Sequence, residues 1–369
     1  MISDHACTRL KLGALCALVL GAAGCAIGAA LDVTGFFRAW LCTFLFWLGV
    51  PLAAVTLVMV HDLSGGEWMQ TARPLLNAAT ATMPLAMLAG IPAFIGLHDL
   101  YSWTHPAPSL GNTFYLNTNG FLLRYAVYIV LWNGLAAYAL WAPRNGAEPI
   151  APSLSWLSAL ALIVLAFSAS FAAIDWIMSL EPAFWSSIFM LTAGASWFNT
   201  GLALVLLVIA LAGLAAGGRR THMADLAAIL LATTIFWAYV EFIQFLVIWE
   251  ENLKDEIPWY LTRINSAWEP AIFVSAAFGF FVPFFALLTQ PGKRSCGVVA
   301  TVCLLVLLSR IADKWWQVLP EFQKAGPFWL DVGAIFALGG LMLLLFFGWL
   351  RSGGVFASSA AQFWKTHDG

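Results

Sequence analysis

The sequence predicts an all-α, polytopic membrane protein with ten transmembrane helices. Three observations carry this. Of 369 residues, 62% are apolar and 10% are charged, whereas about 25% of a soluble domain is charged. Mean hydropathy is +0.85. The apolar residues form continuous runs of about 20, the length that crosses a hydrocarbon core of roughly 30 Å. Backbone amides find no water in lipid, so the runs are helices or strands of a closed barrel. Barrel strands alternate apolar and polar residues; these runs do not. The composition excludes a soluble enzyme and a disordered chain. The net charge of −2 offers no basic surface to nucleic acid.

The predicted spans lie near 11–31, 36–61, 76–97, 119–141, 153–175, 186–214, 225–249, 267–289, 295–314 and 328–350. The first holds the small-residue stretch GAAGCAIGAA (21–30), which permits close helix packing. Its basic flank and AAGC ending at Cys25 also have the shape of a lipoprotein signal. Ala22 at the position of a larger aliphatic, and the apolar run past Cys25, predict a retained helix instead. The second span ends at His61. The third contains Pro84 and Pro92. The fourth carries Arg124 and Asn133, and the fifth ends at Asp175. The sixth contains a second small-residue stretch, LTAGAS, and Asn199. The seventh holds Tyr239, Glu241 and Gln244, and the ninth ends with Arg310 and Asp313.

Loop charges orient the bundle. With both termini in the cytoplasm, that side holds Arg9, Lys11, Arg73, Arg144, Arg219, Arg220, Lys293, Arg294, Arg351 and Lys365. The other side holds Arg38, Lys254, Arg263, Lys314 and Lys324. The outer loops are long, acidic and rich in Trp, so a large partner is expected there.

Six Cys and six His show no zinc, iron–sulfur or haem pattern. His61 and His98 close spans at opposite faces. The chain is therefore expected to bind no cofactor. Ionisable side chains inside spans are costly and mark functional candidates. At a rise of about 1.5 Å per residue, Arg124, Asp175, Glu241, Arg310 and Asp313 all fall in the outer third of the membrane. Arg310 and Asp313 stand three apart and can pair on one helix face. Glu241 has no cation within a turn on its own helix. Asn133 and Asn199 lie near the midplane, and His61 with Thr56 extends the polar set inward. Two readings stay open: a proton half-channel with a polar rim beside a quinone pocket, or a salt-bridge layer that locks helix ends.

A repeat divides the chain. DWIMSLEP (175–182) and DKWWQVLP (313–320) each place Asp seven residues before Pro. FYLNTN from Phe114 and WYLTRIN from Trp259 precede the fourth and eighth spans. The matched helices are four spans apart and run in the same direction. This predicts two parallel four-helix bundles, 36–182 and 183–320, with peripheral helices in 1–35 and 321–369.

Four stretches carry a family resemblance: YLNTNGFLLRYAVYIVLW (115–132), FAAIDWIMSLEP (171–182), WAYVEFIQFLVIWEENLKDEIPWYLTRINSAW (237–268), and PFFALLTQPGKR (283–294) followed by SRIADKWWQVLP (309–320). In this order the chain resembles the ActF family, integral membrane subunits of bacterial alternative complex III in the wider NrfD/polysulfide-reductase superfamily. The resemblance implies ten helices in two four-helix bundles, no haem or cluster on this chain, and a place in the bacterial inner membrane. It implies a quinol oxidoreductase with a homologous quinol-binding subunit and with periplasmic iron–sulfur and multihaem cytochrome partners. It also implies a proton pathway, with Arg124, Asp175, Glu181, Tyr239, Gln244, Arg263, Arg310 and Asp313 at matching positions. Glu241 falls inside a matching stretch, outside the shared pattern. Where the family reads EPHWFST the chain reads EPAFWSS, so Ala183 replaces a His and Glu181 would serve alone at that surface. NLKDE replaces NLPEE and keeps the acidity. A secondary transporter and a purely structural assembly subunit are the competing readings. The repeat is parallel and the polar layer is near one face, unlike the inverted repeats and midplane sites of many transporters.

Overall fold

The computed structural model describes residues 4–105, 113–142, 150–215, 219–322 and 327–352. Arg144, Lys324 and Lys365, all used in the sequence argument, lie outside them. Among the described residues every regular element is helical. Ten helices are long and apolar enough to cross a membrane: Thr8–Leu31, Val33–Ser64, Trp68–Ile95, Thr118–Trp141, Pro152–Leu180, Phe189–Leu211, Arg219–Glu250, Glu269–Leu288, Cys296–Glu321 and Phe328–Arg351. They are compatible with a polytopic membrane protein and are called the first to tenth spans. A short helix, Ile257–Ile264, lies between the seventh and eighth.

Local chemistry sets the helix starts. Asp32 accepts the Gly35 amide at 2.9 Å and caps the second span. Asn117 accepts the Gly120 amide at 2.7 Å and caps the fourth. Both satisfy amides that a helix leaves unpaired at its start. In the third span the helix is interrupted near Ala81–Thr82 and again near Ala89–Gly90, each break just ahead of a proline. Pro84 and Pro92 lack the N–H an unbroken helix needs. The eighth span contains a π-helical turn at Ala277–Phe281.

The second and sixth spans form the centre and are buried on nearly every face. The second packs on the third, fifth, sixth, ninth and tenth, and the sixth also packs on the seventh and ninth. The closest approach is at glycines. A Cβ on Gly201 would strike the side chain of Ala53 and lie 2.7 Å from the Gly49 carbonyl. Such small-residue contacts let helix backbones meet where lipid supplies no hydrophobic drive. Gly201→Ala is expected to destabilise by about 1–3 kcal/mol, the usual effect of overpacking. A melting curve of the detergent-solubilised protein checks this; an unchanged midpoint would contradict the packing.

The two small-residue stretches behave differently. The first does what the sequence predicts: a Cβ on Gly21 would collide with the backbone of Ala337 and Gly333, so the first span lies directly on the tenth. In LTAGAS, Gly194 faces open space, and the central crossing uses Gly49 and Gly201 instead.

Candidate functional site

The polar residues predicted for the outer third of the membrane form three groups. The first joins the fourth and fifth spans. Arg124 donates from Nε to both Asp175 oxygens at 3.0 Å, and its Nη2 lies 2.9 Å from Oδ1. The Tyr128 hydroxyl donates to Asp175 Oδ2 at 2.7 Å. The guanidinium carbon of Arg124 lies 4.0 Å from the centre of the Tyr115 ring, a cation–π arrangement. Burial, then the neighbouring Asp175 charge, pushes the Tyr115 phenol upward.

The second group lies between the sixth, seventh, eighth and ninth spans. Arg310 and Asp313 do not pair, contrary to the i, i+3 expectation. Asp313 accepts from Ser196 at 2.7 Å and from Gln317 at 3.0 Å. Its ion partner is the adjacent Lys314, at 3.4 Å. Lys314 is buried and donates to Gln317 Oε1 at 2.8 Å. Arg310 points the other way. Its guanidinium carbon lies 3.5 Å from the Trp237 ring centre, and Nη2 donates to Ser309 at 2.7 Å. Arg310 Nε and Nη1 have no hydrogen-bond partner. The missing side chain of Gly279, on the π turn, leaves the space that Nη2 and the Ser309 hydroxyl occupy.

Glu241 follows Trp237 by one turn. It lies within electrostatic reach of Arg310, Asp313 and Lys314. It lines a largely apolar groove of 680 Å³, together with Trp237, Tyr260, Glu269, Phe280 and Trp316. Arg310 sits behind this wall. A carboxylate on a groove can accept and return a proton, while the buried guanidinium stays charged and offers its spare N–H groups as donors.

The third group anchors the loop helix Ile257–Ile264. Arg263 is fully buried. It donates to the Trp259 and Gln317 carbonyls at 2.7 Å each and pairs with Glu321 at 2.7 Å. Its guanidinium carbon is 3.1 Å from the Trp259 ring centre. Burial lowers Arg263 to about 10, opposed by Glu321 and Tyr260. The group therefore keeps its charge at neutral pH. Gln244 accepts from Ser186 at 3.1 Å and donates to Tyr260 at 3.2 Å, tying the seventh span to this loop.

The remaining predicted residues lie apart. Tyr239 is exposed on the groove rim. Glu181 accepts the Ala183 amide at 3.4 Å. Asn133 donates to Ile129 on its own helix at 2.7 Å. Asn199 accepts from Thr233 at 2.6 Å and links the sixth and seventh spans. At the opposite end of the second span, His61 Nε2 lies 3.1 Å from the Gly66 carbonyl, and Thr56 bonds within its own helix.

Five buried charged residues were not singled out from the sequence: Arg38, Asp62, Glu256, Lys314 and Asp331. Asp62 accepts from Ser158 at 2.6 Å. Lys314 and Arg38 read as outer-loop charges because they stand at the very ends of the predicted spans 295–314 and 36–61. The ninth helix continues to Val318 and the second starts at Val33, which places both inside. The missed signal was the unbroken helical stretch from Asp313 to Pro320.

Among the described residues no cluster of three or more His, Cys, Asp or Glu is arranged to hold a metal. No protein-family model matches the chain, and no curated protein matches it significantly. Fold and site together define a helical protein compatible with a multi-pass membrane protein, with an ionic layer buried between its helices.

Proposed function

We propose that this chain is a cofactor-free membrane subunit of a quinol-oxidising respiratory complex of the alternative complex III type. It sits in the bacterial inner membrane with both termini cytoplasmic and its helices in two four-helix bundles. It scaffolds the homologous quinol-binding subunit and carries protons released by quinol oxidation toward the outer face. Periplasmic iron–sulfur and multihaem cytochrome subunits take the electrons. The observation that carries this reading is Glu241 on an apolar groove, with the incompletely bonded Arg310 behind it. A lipid-soluble quinol reaches such a groove from the membrane, and the carboxylate accepts a proton there.

The Arg124–Asp175 group supports a structural role for its own half. Both carboxylate oxygens are occupied by donors from the neighbouring helix, which leaves little capacity for relay. The test is Glu241→Gln in the complex isolated from its native membranes. Quinol:acceptor turnover is expected to fall about tenfold, equivalent to roughly 1.4 kcal/mol in the barrier, with subunit content unchanged. Unchanged turnover would assign the layer to structure alone. Isolation without iron–sulfur and multihaem partners would remove the respiratory reading.

A further inference from the structure

The tenth span carries a buried carboxylate that the sites above do not use. Asp331 stands in the first turn of Phe328–Ser352 and is 1% exposed. Neither carboxylate oxygen has a hydrogen-bond partner. An isolated carboxylate out of water costs several kcal/mol unless donors replace its hydration. The buried Asp62, Asp175 and Asp313 have such donors, and each accepts at least one side-chain hydrogen bond. Asp331 differs from these three aspartates.

Its surroundings come from three sides. The second span brings Arg38, buried and within electrostatic reach of Asp331, and the thiol of Cys42. Cys42 lies within reach of Asp331, Arg38 and Lys314 together, and its Sγ is 3.9 Å from the Lys314 carbonyl. The ninth span brings Lys314, already paired with Asp313. The first span offers Cys25, in the apolar cluster around Leu330 and Ala334. Asp32 is turned to the Gly35 amide. Arg38 also faces the Phe322 ring at 6.0 Å, just past the outer end of the ninth span.

We propose that Asp331 is a proton-holding site, the far end of a buried ionic chain running from Glu241 through Arg310, the Asp313–Lys314 pair and Arg38. The carboxylate takes up one proton to become a neutral carboxyl and returns it on release; no electron moves. In the resting protein the carboxyl carries the proton, which removes the need for donors at its oxygens. A role in the release of quinol protons rests on the proposed function; the presence of the bound proton does not.

Infrared spectra of the full-length protein in lipid nanodiscs test it, recorded in H₂O and D₂O at neutral pH. Asp331→Asn is expected to remove one deuterium-sensitive carboxylic C=O band of the wild type and to leave the melting temperature unchanged, because a neutral amide replaces a neutral acid. A wild-type spectrum that coincides with Asp331→Asn in the carboxylic region overturns the proposal. So does a lower melting temperature for Asp331→Asn that Asp331→Glu restores, since that marks an ionised partner of Arg38. Neither readout needs an electron acceptor or partner subunits, so the result stands whether or not the quinol reading does.

Discussion

Arg263→Ala is expected to cost the folded protein about 3–5 kcal/mol, the range for breaking a buried ion pair from one side. The side chain is fully buried and serves four partners: two backbone carbonyls, the Glu321 carboxylate and the Trp259 ring. Removing it leaves a carboxylate and two carbonyls in a site that water reaches poorly. Trp259 also stacks on Phe184, with ring centres 4.3 Å apart, so the loss spreads to the loop after the fifth span. Arg263→Lys should recover little. A single ammonium cannot serve two carbonyls and a carboxylate in one plane while stacking on an indole. Adding Glu321→Gln to Arg263→Ala should recover part of the loss, because the stranded charge is then gone. Melting curves in detergent measure all three variants. A midpoint for Arg263→Ala equal to the wild type would mean that the loop helix is not held in this way.

The sign of the pH response follows from the same site. Burial lowers the folded-state value of Arg263 to about 10 from its ordinary 12.5. The cost of burying the charge is therefore present throughout the neutral range and is lifted only as pH rises through about 10. Between neutral and mildly alkaline pH this arginine adds no pH dependence to stability.

The ten spans were legible because lipid imposes one rule on every residue of a run, and a 20-residue window averages out local exceptions. The third span shows the limit. Its helix begins at Trp68, ahead of the predicted 76, because WMQTARP is polar on one face and packs as an amphipathic turn rather than an apolar run. At the end of the ninth span the error had a consequence. Ending the ninth span at 314 put Lys314 in water, whereas it lies buried beside Asp313. A charge at a helix end is ambiguous in sequence, since a long side chain can snorkel out or turn inward. Only the neighbours decide.

Pairing was legible to the same degree. Arg124 and Asp175 were placed at one depth on adjacent helices, and they meet. Arg310 and Asp313 were placed on one face of one helix, and they do not. Same-helix spacing makes contact available, but Trp237 from the seventh span and Ser196 from the sixth compete for the two groups. Those partners are remote in sequence. The repeat was informative about position and silent about chemistry. Asp175 and Asp313 occupy matching places, yet one takes an arginine from the preceding helix and the other a lysine from the next residue.

Asp175→Ala is the second large effect, expected to cost about 3–5 kcal/mol. Asp175 is 1% exposed and accepts from Arg124 and Tyr128. Its loss strands a guanidinium whose side chain is 23% exposed and a buried phenol hydroxyl that loses its acceptor. Because Asp175 is buried, the pair is screened weakly by salt. The melting midpoint of the wild type should therefore change little between low and high sodium chloride, unlike that of a surface pair. Asp175→Asn retains one acceptor oxygen and the shape, so it should lie between the wild type and Asp175→Ala. If Arg124→Leu is made together with Asp175→Leu, the guanidinium is no longer stranded and much of the loss should return. A double variant as unstable as Asp175→Ala would show that the contribution of the aspartate does not run through the arginine.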